Sequence, residues 1–310
     1  MKKISIVVPC YNEEKALAFF YQETEQVISQ MPGCTFEYLF VDDGSKDKTL
    51  EVVKSFAEKD EKVRYLSFSR NFGKEAAIYA GLKNATGDFV VLMDADLQDP
   101  PSLLPQLYEA VKDGEYDCAA LRRVNRKGEP PIRSFFARKF YKLMNKISDV
   151  ELVDGARDYR MMSRRFVEAV LSLGEKNRFS KGIFGWVGFK TKWFEYENVE
   201  RVAGETKWSF FKLFKYSLQG IVSFSSSLLQ VATVFGLLLL ALSGIALITL
   251  TVLQIALTGI PVWSFLLCAL GAGVGIICFF MGVLGLYVDK IHTETRNRPI
   301  YIEREGNIEK

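Results

Sequence analysis

Asp94 and Asp96 stand one residue apart directly after an apolar run, Phe89-Val90-Val91-Leu92-Met93, and are followed by Gln98 and Asp99. Like charges so close repel each other, and a divalent cation is one chemical reason to keep them together. Mg²⁺ and Mn²⁺ prefer hard oxygen ligands and are typically shared between one or two carboxylates and substrate phosphates. The bland alternative for an isolated pair is an acidic turn with solvated side chains. Pro100-Pro101 stop any regular element beyond the acids. A second group is basic: Arg122, Arg123, Arg126, Lys127 and Arg133 open a cation-rich segment that runs to Lys146, and guanidinium forks suit phosphate oxygens. The sole histidine, His292, lies near the far end, which argues against Ser-His or Cys-His catalysis. Five cysteines without a C-x-x-C pair indicate neither a disulfide framework nor a zinc site.

The elements that must position these groups alternate. Strands are expected at Ile4–Val8, Phe36–Val41, Val63–Phe68, Asp88–Met93 and near Tyr116–Leu121, with helices at Glu13 to about Gln30, Asp47–Lys59, Lys74–Asn84 and about Ser102–Lys112. Asp47 is placed to cap free N–H groups at a helix start. Such alternation predicts an α/β fold with a doubly wound, parallel sheet. Ligands on these sheets bind beyond the carboxyl ends of the strands. Four polar clusters fall there: Pro9–Glu13, Asp42–Ser45, Ser69–Lys74 and Asp94–Gln98. A dinucleotide oxidoreductase would show G-x-G-x-x-G after the first strand, where this chain has Pro9-Cys10-Tyr11-Asn12-Glu13.

From Tyr216 to Val288 the chain carries no Asp, Glu, Lys, Arg or His. A membrane helix needs about 20 apolar residues. Two spans are expected, about 228–257 and 263–288, divided by Thr258-Gly259-Ile260-Pro261. Before them come a head of residues 1–207 and an interfacial helix at 208–227; residues 289–310 form a tail. Lys212 and Lys215 precede the spans, whereas Lys290, Arg296 and Arg298 follow them. Positive residues stay cytoplasmic, so both termini and the head are expected in the cytoplasm of a multi-pass protein of the cytoplasmic membrane. The start of the chain is broken by Pro9 and is too short for a signal peptide. Phe135-Phe136, Phe140-Tyr141 and Leu143-Met144 recur at helical spacing among cations, which predicts a basic amphipathic helix at about 133–147 lying on anionic lipid. Nucleic acid is the rival partner for that charge; the adjoining spans favour lipid. Without charge mid-membrane, the spans anchor rather than conduct. Gly236, Gly244, Gly271 and Gly282 let helices pack closely within or between subunits, and a homo-oligomer such as a tetramer is expected.

The stretches VVPCYNE, VDDGSKDKT, RNFGKEAA and DADLQDPP, in this order, resemble the family 2 glycosyltransferases with their GT-A nucleotide-sugar fold. RSFFARKFYKLMN, ARDYRMM and RVAGETKWSFFKL, followed by a membrane hairpin, narrow the resemblance to polyprenyl-phosphate glycosyltransferases. These include dolichyl-phosphate mannose synthases and bacterial undecaprenyl-phosphate glucosyl- or N-acetylglucosaminyltransferases. The resemblance implies inverting transfer of a hexose from a UDP-sugar to undecaprenyl phosphate, with Mg²⁺ or Mn²⁺, for modification of a cell-envelope glycan.

Carried over residue by residue, Pro9, Tyr11 and Glu13 match the first nucleotide loop and Asp42 and Asp43 the second. Asp43 is alternatively a plain Asx turn with Gly44-Ser45. Lys74 matches a loop near the diphosphate, or is surface charge. Asp94, Asp96 and Gln98 match the metal and donor-sugar cluster. Arg122, Arg126, Arg133, Arg160 and Arg201 are expected on the acceptor side. Asp158 matches a family acid, expected to position the acceptor or its arginines, with general base as the alternative. Arg157 stands where the family often has Gly. Arg201 and Lys207 match a loop expected to close over the diphosphate as a lid. Two rivals remain: a processive polysaccharide synthase, whose Q-x-x-R-W motif is absent, and a non-catalytic lipid-binding scaffold, which loss of the acids would favour.

Overall fold

The computed structural model describes residues 1–124, 145, 153–196, 234–236, 238–239, 241–246, 248–249, 252 and 262–308. Strands β1 (Lys2–Cys10), β2 (Cys34–Asp42), β3 (Val63–Phe68) and β4 (Phe89–Leu92) alternate with helices α1 (Leu17–Ile28), α2 (Thr49–Ala57) and α3 (Lys74–Asn84). Then come α4 (Leu104–Val111), β5 (Cys118–Arg123), β6 (Ala156–Ser163), α5 (Arg164–Ser172), α6 (Ser180–Trp186), β7 (Thr191–Tyr196), α7 (Val262–Thr295) and β8 (Glu303–Gly306). The strands form one eight-stranded sheet in the order β7-β5-β6-β4-β1-β2-β3-β8.

The expected parallel core is present: β1 pairs in parallel with β2 and β4, and β2 with β3. One departure is β6, which inserts antiparallel between β4 and β5. The strands are apolar on both faces because helices cover both. Ile4, Ile6, Val8, Phe89 and Val91 pack with Leu17 and Phe20 of α1, Val53 of α2 and Leu104 and Leu107 of α4. Val7, Val90 and Leu92 pack on the other side with Ala77 and Ile78 of α3, Phe166 of α5 and Ile183 of α6. Side chains alternate along a strand, so Asp94 continues the parity of Val90 and Leu92 toward α3.

Among the described residues one helix, Ala269–Thr295 within α7, is long and apolar enough to cross a membrane, with mean hydropathy 2.2. A shorter apolar helix, Val234–Ala246, lies in the expected first span, the rest of which falls mostly outside the described residues. The expected pair of spans is therefore represented by one qualifying helix. The two apolar helices touch: Phe235 meets the Phe279 ring edge-on at 6.3 Å, and a Cβ added at Gly236 would lie 2.7 Å from the Phe280 ring. The interfacial helices expected at 133–147 and 208–227 lie outside the described residues, apart from residue 145.

The tail is not an appendage. β8 joins the edge of the sheet antiparallel to β3. Asn307 accepts from Tyr65 N and donates to Val63 O, Lys54 reaches Glu305 at 2.5 Å, and Tyr301 stacks on Phe68 at 4.8 Å. At the end of α7, Glu294 accepts from the backbone N–H of Lys176 at 2.9 Å. The helix and the tail are thus both fastened to the head.

Candidate active site

Because β1 to β4 run parallel, the loops that leave them open on one edge of the sheet, and side chains tie each loop to the next. Asn12 N donates to Ser45 Oγ at 2.9 Å, Glu13 N to Thr49 Oγ1 at 2.7 Å, and Lys46 N to Asn12 Oδ1 at 2.8 Å. Asn12 adopts φ +52° to make this turn, a left-handed conformation that Asn tolerates better than most residues. Asp47, one residue before the N-cap Lys48 of α2, accepts from Thr49 N at 3.0 Å and so satisfies a free N–H at the helix start. Pro9, Tyr11 and Glu13 are half-buried on this rim.

The second loop is held to the third by Asp43. Its carboxylate accepts from Asn71 Nδ2, Phe72 N and Gly73 N at 2.6–3.1 Å. Burial pushes its carboxyl up to about 6, against the pull of those N–H groups. Asp42, not Asp43, makes the local turn: it accepts from Ser45 N at 3.0 Å and also from Ser67 Oγ at 2.8 Å. Gly44 is required where the loops meet, since it has φ +65° and a Cβ there would fall 2.5 Å from the Arg70 carbonyl carbon.

The third loop reaches the fourth through Lys74, the first residue of α3. Its ammonium lies 2.7 Å from Asp94 Oδ1, 2.8 Å from Asp94 Oδ2 and 2.5 Å from Asp158 Oδ2. The surface-charge alternative for Lys74 does not describe this bridge between two carboxylates. Burial opposes the charges, but each carboxylate holds the lysine protonated, and Lys74 with Lys181 keeps Asp158 well below the usual carboxylate range. Lys181 itself donates to Ala156 O at 3.0 Å. Asp96 and Gln98 follow at the rim, half-buried, with Gln98 N donating to Asp96 Oδ1 at 3.2 Å. Leu97 between them takes φ +56°, a left-handed turn that is uncommon for a bulky side chain.

The acceptor-side arginines fare differently. Arg160, expected on the acceptor side, is only 3% exposed, its guanidinium 4.0 Å from the centre of the Phe184 ring and donating to Arg157 O at 3.0 Å. Arg122 stands at the end of β5, 3.8 Å from Glu195. Arg126, Arg133, Arg201 and Lys207 lie outside the described residues. Arg157 is explained by a partner that sequence reasoning missed. Its Nε donates to the buried Asp99 at 2.9 Å, and Tyr196 donates to the same carboxylate. Lys181 was missed as well, since nothing in the linear order links it to Asp158.

Whether these residues suit a divalent cation is testable on Asp94, which already receives a cation in the form of the Lys74 ammonium. The donors are carboxylate and amide oxygens, hard ligands of the kind Mg²⁺ and Mn²⁺ take. Among the described residues no group of three or more His, Cys, Asp or Glu side chains is arranged for a metal.

Residues 5–171 match Glycosyl transferase family 2. The chain belongs to this family. A putative glycosyltransferase of Bacillus subtilis is 41% identical over 98% of this chain and 92% of its own length. A prophage bactoprenol glucosyl transferase homolog of Escherichia coli is 40% identical over 97% of this chain and 98% of its own. An SfII prophage-derived bactoprenol glucosyl transferase of Shigella flexneri is 40% identical over 98% of both. The protein is a family 2 glycosyltransferase with a GT-A-like, mostly parallel sheet, and its loop cluster at the carboxyl edge is the candidate seat of transfer.

Proposed function

We propose that this family 2 glycosyltransferase moves glucose from a UDP-sugar to undecaprenyl phosphate, with inversion, at the cytoplasmic face of a bacterial membrane. The observation that carries this reading is 40% identity, over nearly the whole of each chain, to bactoprenol glucosyl transferases. The site chemistry agrees with it. A lipid phosphate monoester has a second pKa near 6 and is mostly dianionic at neutral pH, so its attacking oxygen has no proton to lose. Asp158 is held ionised by Lys74 and Lys181, which makes it a weak proton acceptor and a good positioning group. Pro9, Tyr11, Glu13 and the braced loops of Asp42 and Asp43 line the rim where a nucleotide would lie. Asp94 and Asp96, with Gln98 beside them, would hold Mg²⁺ or Mn²⁺, which neutralises charge on a departing diphosphate. Arg122, Arg126 and Arg133 would meet the acceptor phosphate, and Arg201 and Lys207 would close over the donor.

Pairing of β8 with β3 supports a hairpin topology. If α7 crosses the bilayer, a tail that returns to the head's own sheet demands an even number of crossings. Contact of the 234–246 helix with α7 supports assigning the other crossing to that segment. The activity is tested by incubating the purified full chain with undecaprenyl phosphate and radiolabelled UDP-glucose, UDP-N-acetylglucosamine and UDP-galactose. Label should enter the lipid fraction from UDP-glucose; label from another donor alone, or from none, would refute the assignment.

A further inference from the structure

Lys74 is placed against local expectation. A cation at the first residue of a helix opposes the helix dipole, yet α3 begins with Lys74, and the ammonium turns back to bridge Asp94 and Asp158. It contacts both oxygens of Asp94, at 2.7 and 2.8 Å. A divalent ion on that carboxylate would sit close beside the ammonium, where two positive charges repel. Asp158 offers the lysine a second anchor at 2.5 Å, and its four-carbon stem is flexible. Lys74 therefore has a place to remain when Asp94 is taken from it.

We propose that Lys74 is a displaceable internal counter-ion. In the donor-free enzyme its ammonium holds the cation position on Asp94, and a divalent ion gains Asp94 only when a nucleotide diphosphate arrives to share both positive charges. The inference rests on the reading of Asp94 and Asp96 as the metal ligands, and it adds the order of events. Ion and nucleotide bind as a coupled pair, each strengthening the other by the same factor. Without nucleotide the lysine already lies against Asp94 and Asp158, so a divalent ion must compete with it for Asp94.

The test is Mn²⁺ binding to the detergent-purified full chain, followed by the electron paramagnetic resonance signal of the free ion. It is run with and without UDP, after subtracting Mn²⁺ held by UDP alone. Wild type should bind Mn²⁺ weakly by itself and about tenfold or more tightly with UDP, within the usual range of coupling. Lys74→Met should bind Mn²⁺ without UDP about tenfold more tightly than wild type, and the gain from UDP should shrink correspondingly. Lys74→Gln, which keeps a polar group near the acids, provides a second variant should the Met protein fail to fold. Asp96→Asn should lose the ion under every condition. Lys74 variants that bind Mn²⁺ no more tightly than wild type, while Asp96→Asn loses it, would overturn the counter-ion role and leave the metal reading standing. Absence of Mn²⁺ binding in wild type even with UDP would remove the metal reading and this inference with it.

Discussion

The carboxylates of this protein divide by what neutralises them. Asp94 and Asp158 share Lys74 at the rim, Asp99 is buried against Arg157, and Glu37 is buried against Lys3 and Arg64 at 2.8 and 3.2 Å. Glu37 also accepts from Ser5 and Thr86. Burial pushes its carboxyl up, but these donors outweigh it and bring it from an ordinary 4.5 to about 2. A depressed carboxylate stabilises the fold fully above the unfolded pKa and loses that contribution as pH falls toward the folded one. Glu37 should thus supply roughly 3 kcal/mol that disappears between about pH 4.5 and 2. Thermal unfolding of Glu37→Gln in detergent should show a lower Tm than wild type at pH 7 and a gap that narrows toward pH 3. A constant gap would contradict the assignment. The acids at the rim were legible because an apolar strand ran straight into them. The partners of Asp43, Arg157 and Asp158 were not, since they lie 28 to 84 residues away on other elements.

Element by element, what was legible follows from pattern. Val63–Phe68 and Lys74–Asn84 were expected with the bounds they have, because an apolar run and an alanine-rich helix announce themselves. β6 and β8 were not foreseen. Arg157, Asp158 and Arg160 interrupt β6 with charge, and β8 reads Glu-Arg-Glu-Gly with no apolar face. Such strands form through what they pair with. β8 pairs with β3, and just before it Ile302 O accepts from Ser69 N at 2.9 Å, where the loop toward Lys74 begins. The tail is therefore a brace for the loop that leads to Lys74. Deleting residues 299–310 should leave the protein in the membrane but raise the KM for the sugar nucleotide roughly tenfold, equivalent to about 1.4 kcal/mol of lost loop order. The KM for lipid phosphate should move less. Steady-state kinetics on the truncated protein would check this, and unchanged donor KM would show the tail to be dispensable.

At the scale of the molecule, one sheet gathers an N-terminal nucleotide-type core, the antiparallel β6 that carries Asp158, and a strand from beyond the apolar helices. That arrangement ties the loop cluster, the apolar helices and the tail to one sheet, as the proposed transfer from a water-soluble donor to a lipid-borne acceptor requires. In the proposed function the paired acids at the carboxyl edge serve sugar transfer to a lipid phosphate. The decisive experiment follows radiolabelled glucose from UDP-glucose into undecaprenyl phosphate with wild type and Asp96→Asn side by side, in matched amounts of folded protein. Labelled lipid is expected with wild type and a loss of at least about a hundredfold with the variant; equal turnover by the two proteins would show that the acids do not serve the transfer.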